Sequence, residues 1–274
     1  SRKIKKEKIM KKKVLFTLLS DILVASDASH NENHHDSGGH NDNDSHDDER
    51  LRPKMYLDIA LSGEKGRDKV EYFIHQVFED QYGANVQKYL PWLLSISDKN
   101  GGIQSALGLR GAYGSTLFLE QYLNNSVEKI ASKITNASIN REDIIEVGNL
   151  AAVSAGGARM LIYTLTAFLR GAGYKWVVFT APKLLINSFE RLGIPLHHLS
   201  DAKLDHLIND ESDWGNYYDN NPQVVIVNVD NGFEILEKNP NLNQVESAMV
   251  WNQAYAKGYM YRISKNTPLE YRFS

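Results

Sequence analysis

Residues 143–192 constrain the fold most strongly, because two kinds of hydrophobic pattern alternate along them. Runs of β-branched and apolar residues predict strands at 143–153 and 175–180, and apolar stretches predict helices at 156–172 and 183–192. The loops between these four elements are only a few residues long. A strand, a helix and a strand joined so closely form a parallel pair with a right-handed crossover. The sequence therefore predicts an α/β domain built around this pair.

Further strands and helices extend this centre on both sides. The turn sequence from Asp98 to Gly102 separates two apolar segments and predicts a β-hairpin. The other elements follow from the spacing of apolar residues. These further predictions are a helix at 68–82, hairpin strands at 89–97 and 104–110, a helical stretch at 117–135 with a break at 124–126, and strands at 196–199 and 223–229.

The composition excludes several kinds of site and partner. The 274 residues carry a formal net charge of −3, which gives no general attraction to nucleic acid or to an anionic membrane. The chain has no cysteine, so disulfides, thiol nucleophiles and zinc–thiolate centres are excluded. No run reaches the roughly 18 apolar residues that a membrane-spanning helix needs. We therefore predict no nucleic-acid partner, no stable membrane span and no metal cofactor.

Two N-terminal segments differ from the rest in composition. Residues 11–30 combine a basic start with an apolar run, the outline of a secretory signal, but Asp21 interrupts the run and a short amphipathic or poorly ordered helix is favoured. Residues 31–50 are almost entirely polar and predict a disordered spacer. Its histidines could bind a metal weakly, although a solvated linker is the favoured interpretation. A cytoplasmic location is favoured over a secreted one.

The chain is expected to divide into three parts. These are an N-terminal segment at 1–50, one domain at 51–235 and a C-terminal extension at 236–274. The extension has an aromatic stripe at helical spacing, formed by Trp251, Tyr255 and Tyr259. Such a stripe is more often a packing face than a binding site.

A loop of small residues joins the first strand of the parallel pair to its helix. The segment from Ser154 to Ala158 contains only Ser, Ala and Gly, and Arg159 follows it. The N–H groups at a helix N-terminus, the helix dipole and an arginine favour an anion such as a pyrophosphate. From glycine content alone, a tight turn that binds nothing is an equal alternative. Neither of the two common glycine-rich nucleotide-binding motifs is present.

The order of the elements resembles the GCN5-related N-acetyltransferase superfamily, in which acyl-CoA lies between two splayed strands. The loop from Val153 to Ala158 is similar to the pyrophosphate-binding loop of that superfamily. It matches at Gly156 and Ala158 and departs at Val153, where glutamine or arginine is usual. Phe189 stands where these acyltransferases often have a tyrosine acid. The resemblance implies a mixed sheet with splayed central parallel strands, flanked by helices.

Seven sequence blocks, in order over about residues 68–232, resemble the thermostable hemolysin family. They are YLPWLL (89–94), LGLR (107–110), LFLEQYL (117–123), EVGNLA (146–151), WVVFT (176–180), NSFERLG (187–193) and WGNYYD (214–219). The fold of that family also resembles acyl-homoserine-lactone synthases. The resemblance implies acyl-CoA or an acyl-carrier protein as acyl donor and a small amine as acceptor.

Glu146 and Asn149 are the candidate catalytic residues. An amine must lose a proton during acyl transfer, and Glu146 is the leading base because burial in an apolar strand would raise its pKa. An ion pair with Arg110 is an equal alternative for this carboxylate. Asn149 could hydrogen-bond the pantetheine amides of the donor, or it could mark a β-bulge whose side chain is satisfied internally.

Other candidate residues would surround the donor and the acceptor. The main-chain N–H groups near Leu150 and Ala151 could polarise the thioester carbonyl, and Arg110 could hold a carboxylate of the acceptor. The candidate donor-binding residues are Leu150, Ala151, Val153, Gly156, Gly157, Ala158, Arg159 and Asn187. The candidate acceptor-binding residues are Arg110, Glu120, Tyr122 and Trp214. Simple solvation of Glu120 and packing of Trp214 are the alternatives.

Three functions remain open at this point. An N-acyltransferase acting on a small amine is favoured. A membrane-damaging toxin is the alternative that the family name implies, although hemolysis could also arise from a product that the enzyme makes. A non-catalytic acyl-CoA-binding protein is the third, supported by the departures at Val153 and Phe189.

Overall fold

The computed structural model describes residues 55–207, 212–239 and 245–266. Within these ranges, seven strands form one sheet and six α-helices pack on it. The strands are β1 (Met55–Leu61), β2 (Trp92–Asp98), β3 (Ile103–Gly111), β4 (Ile144–Ala152), β5 (Trp176–Ala181), β6 (His197–Asp201) and β7 (Gln223–Asn228). The helices are α1 (Arg67–Tyr82), α2 (Val127–Thr135), α3 (Ala155–Ala172), α4 (Lys183–Arg191), α5 (Val229–Glu237) and α6 (Val245–Asn266).

The sheet has the strand order β1-β2-β3-β4-β5-β7-β6. Only β4 and β5 are parallel; every other neighbouring pair is antiparallel. The expected mixed sheet with a central parallel pair and flanking helices is therefore confirmed. The edge strand β1 is an addition to the predicted elements, and it pairs with β2 along its whole length. The helical stretch predicted at 117–135 is a 3-10 turn at Phe118–Tyr122 followed by α2.

The two central strands separate beyond their first four paired residues. β4 and β5 are paired only from Ile144–Trp176 to Val147–Phe179. β4 nevertheless continues to Ala152. Past Val147 the two strands are no longer joined by a ladder, so a cleft opens in the middle of the sheet.

A β-bulge in β4 accompanies this separation. Gly108 of β3 lies opposite Gly148, and Ala106 lies opposite Ala151, so two residues of β4 face one residue of β3. Asn149 is one of the two, and its φ of 51° is in the left-handed region, which asparagine tolerates better than most residues. A bulge bends its strand and increases the local twist. The end of β4 is thereby turned relative to β5.

Helices cover both faces of the sheet and bury different sides of the central strands. Helices α3 to α6 lie over a core that includes Val147 and Phe179. The opposite face carries α1, α2 and the 3-10 turn, with Ile144 and Val178 in its core. Since successive residues of a strand point to opposite faces, Glu146 lies on the same side as Ile144, towards the 3-10 turn.

Helix α3 is apolar on most of its surface because α6 covers the side that the sheet does not. Two glycines mark where these helices cross. A Cβ at Gly171 of α3 would overlap the carbonyl oxygen of Tyr255, and a Cβ at Gly258 of α6 would overlap that of Phe168. The two main chains can approach this closely only because both positions lack a side chain.

The aromatic stripe of the C-terminal extension is divided between two environments. Trp251 is buried on the inner side of α6, and its ring packs against Phe233 at a centroid distance of 4.7 Å. Tyr255 and Tyr259 are 42% and 50% exposed on the outer side. The predicted packing role is therefore confirmed for Trp251, whereas the two tyrosines face outwards.

Within the described ranges, no helix is both long and apolar enough to cross a membrane. Among the same residues, no group of three or more His, Cys, Asp or Glu is placed to hold a metal ion. The signal-like segment 11–30 and the polar spacer 31–50 lie outside the described residues. The three-part division of the chain stays a prediction.

Candidate active site

A cavity of about 220 Å³ occupies the cleft between β4 and β5. It extends from the N-terminus of α3, past the bulge, to a group of aromatic side chains on the opposite face of the sheet. Residues of its lining include Arg110, Glu146, Asn149, Ser154, Ala158 and Trp214. Apolar and aromatic walls with a few polar groups are typical of a small-molecule site.

Glu146 is the buried carboxylate of this cavity, with 2% of its surface exposed. It lies one residue before the point where β4 and β5 separate. Its two oxygens accept hydrogen bonds from the N–H groups of Leu119 at 2.8 Å and Phe118 at 3.1 Å. Burial raises the pKa of Glu146, and these two hydrogen bonds and the nearby Arg110 offset that effect only in part. A carboxyl group with a raised pKa can exchange a proton nearer to neutral pH.

Arg110 stands beside this carboxylate on β3. Its Nη1 lies 3.8 Å from Oε2 of Glu146 and donates a hydrogen bond to the carbonyl oxygen of Thr116 at 3.3 Å. The side chain is 27% exposed, so it reaches both the cavity and solvent. The alternative predicted for Glu146, an ion pair with Arg110, is thus present at the outer limit of ion-pair distance. A cation and an anion stand next to each other in one wall of the cavity.

A short segment before β2 forms another wall, and two polar side chains fix it. The side chain of Asn149 accepts a hydrogen bond from the N–H of Leu90 at 2.9 Å and donates one to the carbonyl oxygen of Lys88 at 3.1 Å. The buried guanidinium of Arg67 donates to the carbonyl oxygens of Leu90 and Pro91 at 2.9 and 2.7 Å. The side chain of Leu90 fills the space next to Gly108 and Gly148. Asn149 is therefore satisfied internally in a β-bulge, which was one of its two predicted roles.

Aromatic side chains enclose the end of the cavity near Glu146. The ring of Trp214 lies 5.6 Å from Tyr217, 6.0 Å from Tyr218 and 6.1 Å from Phe118, measured between centroids. The hydroxyl groups of Tyr122 and Tyr218 are 2.5 Å apart. These rings make one end of the cavity a largely apolar compartment.

The segment that carries Trp214 is tied to the rest of the domain by its main chain. The N–H of Asn85 donates to the carbonyl oxygen of Asp213 at 2.6 Å, and Asp213 donates in return at 3.3 Å. Tyr217 is buried, and burial raises its pKa well above the usual value, so its hydroxyl stays protonated. That hydroxyl donates to the carbonyl oxygen of Thr180 on β5 at 3.5 Å. The segment is thus anchored over the separated end of β5.

A second cavity of about 40 Å³ adjoins the first on the α3 face of the sheet. Both cavities share part of their walls. The shared residues are Val147, Leu150, Ile162, Phe179 and Leu185. Leu165, Leu169 and Ile194 belong to the lining that the second cavity does not share with the first. Almost all of its lining is apolar, so it suits a hydrocarbon chain and not a charged group.

The loop of small residues leads into the first turn of α3. Ser154 caps the helix: its side chain accepts a hydrogen bond from the N–H of Gly157 at 3.0 Å. Ser154 and Ala158 line the cavity. A Cβ at Gly157 would lie 3.0 Å from the carbonyl oxygen of Gln104, so this glycine permits close packing on β3. The helix N-terminus therefore faces the cleft through Ser154 and Ala158.

A family model describes this chain: the model for thermostable hemolysin matches residues 61–233. The chain belongs to the thermostable hemolysin family. The resemblance recognised from the seven sequence blocks is confirmed. No curated protein matches the chain.

Solved structures similar to this member of the thermostable hemolysin family include one N-acyl amino acid synthase and two acyl-homoserine lactone synthases. An N-acyl amino acid synthase from uncultured soil microbes, FeeM, has 12% identity and a TM-score of 0.47, with 70% of this chain and 98% of that chain covered. The acyl-homoserine lactone synthase LasI has 12% identity and a TM-score of 0.44 over 65% and 91%. The CoA-dependent acyl-homoserine lactone synthase BjaI, solved with SAM and isopentyl-CoA, has 10% identity and a TM-score of 0.46 over 74% and 100%.

The cavity brings together about half of the residues that the sequence singled out. Those in its lining are Arg110, Tyr122, Glu146, Asn149, Leu150, Ala158 and Trp214. Those outside its lining are Glu120, Ala151, Val153, Gly157, Arg159 and Asn187. Gly156 lies in the first turn of α3. Ala151 is buried against α1, and Val153 is 48% exposed at the surface.

Glu120 was expected in the acceptor pocket but has a different role. Its oxygens accept hydrogen bonds from the N–H groups of Leu117 and Val127, at 2.9 and 3.0 Å. Both oxygens also accept from Arg141, at 2.7 and 2.8 Å. A carboxylate engaged in this way fixes the 3-10 turn to α2 and has no free geometry for a ligand.

Several residues of the site were not singled out from the sequence. Phe118 and Leu119 supply N–H groups to Glu146, and Arg67 holds the wall that contains Leu90. The signal that could have found Phe118 is its place in LFLEQYL, one of the blocks that resemble the family. Nothing local in the sequence distinguishes Arg67 from an ordinary surface arginine at a helix start.

Proposed function

We propose that the protein is an N-acyltransferase that moves an acyl group from an acyl thioester to a small amine. The observation that supports this function best is the buried carboxylate of Glu146 beside an open cleft between two separated parallel strands. A general base in a partly apolar cavity is what an aminolysis reaction requires. The donor would be acyl-CoA or an acyl-carrier protein, since both present their thioester on a pantetheine arm.

The pantetheine arm would lie in the cleft. β4 and β5 are not paired with each other beyond Val147 and Phe179, so their main-chain groups there can form hydrogen bonds with the amides of an extended pantetheine arm. The main-chain N–H groups near Leu150 and Ala151 would then polarise the thioester carbonyl. A pyrophosphate would sit at the start of α3, where Ser154 and Ala158 line the cavity. Val153, Gly156, Gly157, Arg159 and Asn187 stay more distant candidates for donor binding.

The acyl chain would enter the second cavity. That cavity shares Val147 and Phe179 with the cleft, and Leu165 and Ile194 line it alone. An apolar cavity stabilises each buried methylene by about 0.8 kcal/mol. A donor with a chain longer than acetyl is therefore favoured.

The acceptor would approach from the side of Glu146 and Arg110. A small amine that also carries a carboxylate, such as an amino acid, would place its carboxylate on Arg110 and its amine towards Glu146. The amine lone pair attacks the thioester carbonyl, a C–N bond forms and the C–S bond breaks. Glu146 takes the proton that the amine loses, and the released thiolate is protonated in turn. Asn149 acts as a positioning residue because it holds the Lys88–Leu90 wall.

The reaction can be tested directly because the chain contains no cysteine. Release of free CoA thiol can be followed with a thiol reagent without any background from the protein. The purified chain would be given acetyl-CoA, octanoyl-CoA and palmitoyl-CoA with a panel of amino acids, and the amide product would be identified by mass spectrometry. Thiol release that depends on both donor and amine supports the proposal. No thiol release and no binding of any of these thioesters or of an acyl-carrier-protein donor contradicts it.

Two pairs of variants separate catalysis from folding. Glu146→Gln should reduce turnover by about 10²-fold or more while donor binding persists, and Glu142→Gln makes the same chemical change in an exposed carboxylate outside the cavity. Ala158→Glu should abolish donor binding in calorimetry, and Ala137→Glu places the same group at an exposed position. Donor binding without turnover in the parent chain would favour the non-catalytic binding protein.

Chain-length preference tests the second cavity. Leu165→Phe enlarges a side chain that lines only the second cavity, and we expect the preferred acyl chain to become shorter, measured as kcat/KM across the donor series. Leu165→Met is the matched control because it conserves volume. An unchanged preference in Leu165→Phe would place the acyl chain elsewhere.

A further inference from the structure

Arg141 lies outside the cavity lining, in the turn directly before β4. Its guanidinium makes five hydrogen bonds, one for each of its N–H groups. Three of them go to the carboxylates of Glu120 and Glu128. The other two go to the carbonyl oxygens of Ala112 and Ser115, at 2.9 and 2.6 Å. An arginine whose planar fork is engaged at every donor holds its partners in one geometry.

Four of these five hydrogen bonds hold one stretch of chain, residues 112–120, which we call the acceptor-side segment. It leads from the end of β3 into the 3-10 turn. Glu120 extends this hold, because its oxygens also accept hydrogen bonds from the N–H groups of Leu117 and Val127. The fifth bond, from Arg141 to Glu128, fixes the same guanidinium to α2 at 2.7 Å. The acceptor-side segment is therefore fixed both to α2 and to the start of β4.

The acceptor-side segment contacts both charged side chains of the proposed acceptor site. The N–H groups of Phe118 and Leu119 donate to the carboxylate of Glu146, at 3.1 and 2.8 Å. The carbonyl oxygen of Thr116 accepts a hydrogen bond from Arg110 at 3.3 Å. All three contacts are made by main-chain groups of the segment, so their positions depend on whatever fixes its backbone.

We infer that Arg141 is the positioning residue of the acceptor site, because it fixes the backbone segment that aims both Glu146 and Arg110. The inference rests on the proposed function, in which Glu146 takes the proton of the amine and Arg110 holds a carboxylate of the acceptor. An amino acid carries both groups on one carbon atom, so its two partners must keep a fixed separation. A misplacement of about 1 Å in such a site can cost about 10²-fold in rate.

Arg141 acts on Glu146 through position, since its own charge is paired with Glu120 and Glu128 at 2.7 Å. Burial raises the pKa of Glu146, the N–H groups of the 3-10 turn and the charge of Arg110 lower it, and the charge of Glu120 raises it. Looser N–H contacts and a less well paired Glu120 would both raise this pKa further. The other titratable side chains of the cavity lining are Tyr82, Lys88, Tyr89, Tyr122, Tyr217 and Tyr218.

Arg141→Lys tests the inference because it keeps the charge and removes the geometry. A lysine has three donors on one nitrogen and no planar fork, so it cannot hold Glu120 and two carbonyl oxygens together. We expect kcat/KM for the amine to fall by about tenfold or more at neutral pH. The pH–rate profile should move to higher pH, and KM for the amine should rise. The affinity for octanoyl-CoA in calorimetry should stay unchanged, since the ends of β4 and β5 keep their contacts.

Glu128→Ala is the matched control within the same network. It removes one of the five hydrogen bonds of Arg141 and leaves the four that hold the acceptor-side segment. It should therefore lower the melting temperature without moving the pH–rate profile. All variants are assayed well below their melting temperatures. If Arg141→Lys loses activity only in proportion to its loss of stability, with an unmoved pH profile, its role is structural and the inference is overturned.

An NMR titration of the glutamate carboxyl carbons separates this inference from the proposed function, because it needs no turnover. The signal of Glu146 is identified by its absence in Glu146→Gln. We expect Glu146 to titrate at higher pH in Arg141→Lys than in wild type. Equal titration in the two proteins overturns the inference even if wild type is active. A raised value in Arg141→Lys without any acyl transfer by wild type would confirm that Arg141 positions Glu146 and would reject the proposed reaction.

Discussion

Replacing Asn149 separates two contributions of one residue to stability. Its side chain makes two hydrogen bonds, to Leu90 and Lys88, and its main chain has a φ of 51°. Asn149→Gly removes the hydrogen bonds and keeps the left-handed backbone at no steric cost. Asn149→Ala removes the same hydrogen bonds and adds the penalty of a Cβ in that conformation. The difference in the free energy of unfolding between the two variants measures the cost of a side chain in the left-handed backbone conformation.

The expected magnitudes follow from these contacts. One part-buried and one exposed hydrogen bond contribute about 1–3 kcal/mol together, so Asn149→Gly should lower the free energy of unfolding by about 2 kcal/mol. Asn149→Ala should lower it by about 1 kcal/mol more. With a urea m-value of about 2 kcal/mol/M, the unfolding midpoints shift by about 1 M and 1.5 M.

Urea unfolding followed by tryptophan fluorescence measures both shifts, and calorimetric titration with acyl-CoA measures the effect on the cleft. Binding should weaken equally in the two variants, because both release the Lys88–Leu90 wall. If Asn149→Gly unfolds at the same urea concentration as wild type, the two hydrogen bonds do not stabilise the fold. Equal stability of the Gly and Ala variants would refute the left-handed conformation.

Three further predictions concern acid stability, helix packing and activity. Burial alone would raise the pKa of Glu120, but hydrogen bonds from Arg141 and two backbone N–H groups lower it to about 2. The resulting stabilisation is complete above the ordinary value of 4.5 and is lost as the pH falls towards 2, so Arg141→Met should flatten this part of the stability–pH curve measured by urea unfolding. Gly258→Ala should lower the melting temperature in calorimetry, because its methyl group overlaps the main chain of α3. Gly232→Ala is the control, since its Cβ would meet nothing closer than 3.9 Å. Burial raises the pKa of Glu146, and a base acts when it is deprotonated. The acyl-transfer rate should therefore rise as the pH rises through the pKa of Glu146.

Each of these predictions has a contrary result. If Arg141→Met loses stability below pH 4.5 as steeply as wild type does, Glu120 keeps its low pKa without the guanidinium. Equal melting temperatures for Gly258→Ala and Gly232→Ala would mean that α3 and α6 do not touch at that point. A rate that is independent of pH across the titration of Glu146 would assign the proton transfer to another group.

The centre of the fold could be predicted from the sequence because its signals are local. The strands around Glu146 and Trp176 are short apolar runs, and α3 between them is a long apolar helix. Chain connectivity then allows one arrangement, a parallel pair with a right-handed crossover. β1 escaped prediction because Met55–Leu61 is apolar at most positions and lacks a clear alternation, so its pattern is ambiguous.

The walls of the site could not be predicted, because they form between distant parts of the chain. Leu90 meets Asn149 across 59 residues, and Arg67 meets Leu90 across 23. Glu120 was placed on a helix face by its spacing, but the segment is a 3-10 turn whose carboxylate pairs with Arg141. Side-chain partners of this kind depend on packing and not on sequence periodicity.

The ladder between β4 and β5 is short, so the sheet has fewer paired residues at its centre than in the two ladders on either side of it. Within the described sheet, the ladder from Ile144–Trp176 to Val147–Phe179 alone joins the antiparallel half formed by β1 to β4 to the half formed by β5 to β7. The two halves are therefore separate candidates for cooperative opening, with amide exchange on either side of the cleft set by different local stabilities. A molecule bound to the unpaired edges of both β4 and β5 would connect the two halves, so that their amide hydrogens exchange through one common opening. Binding in the cleft would therefore slow amide hydrogen exchange in both halves of the domain, including at amides that do not contact the ligand.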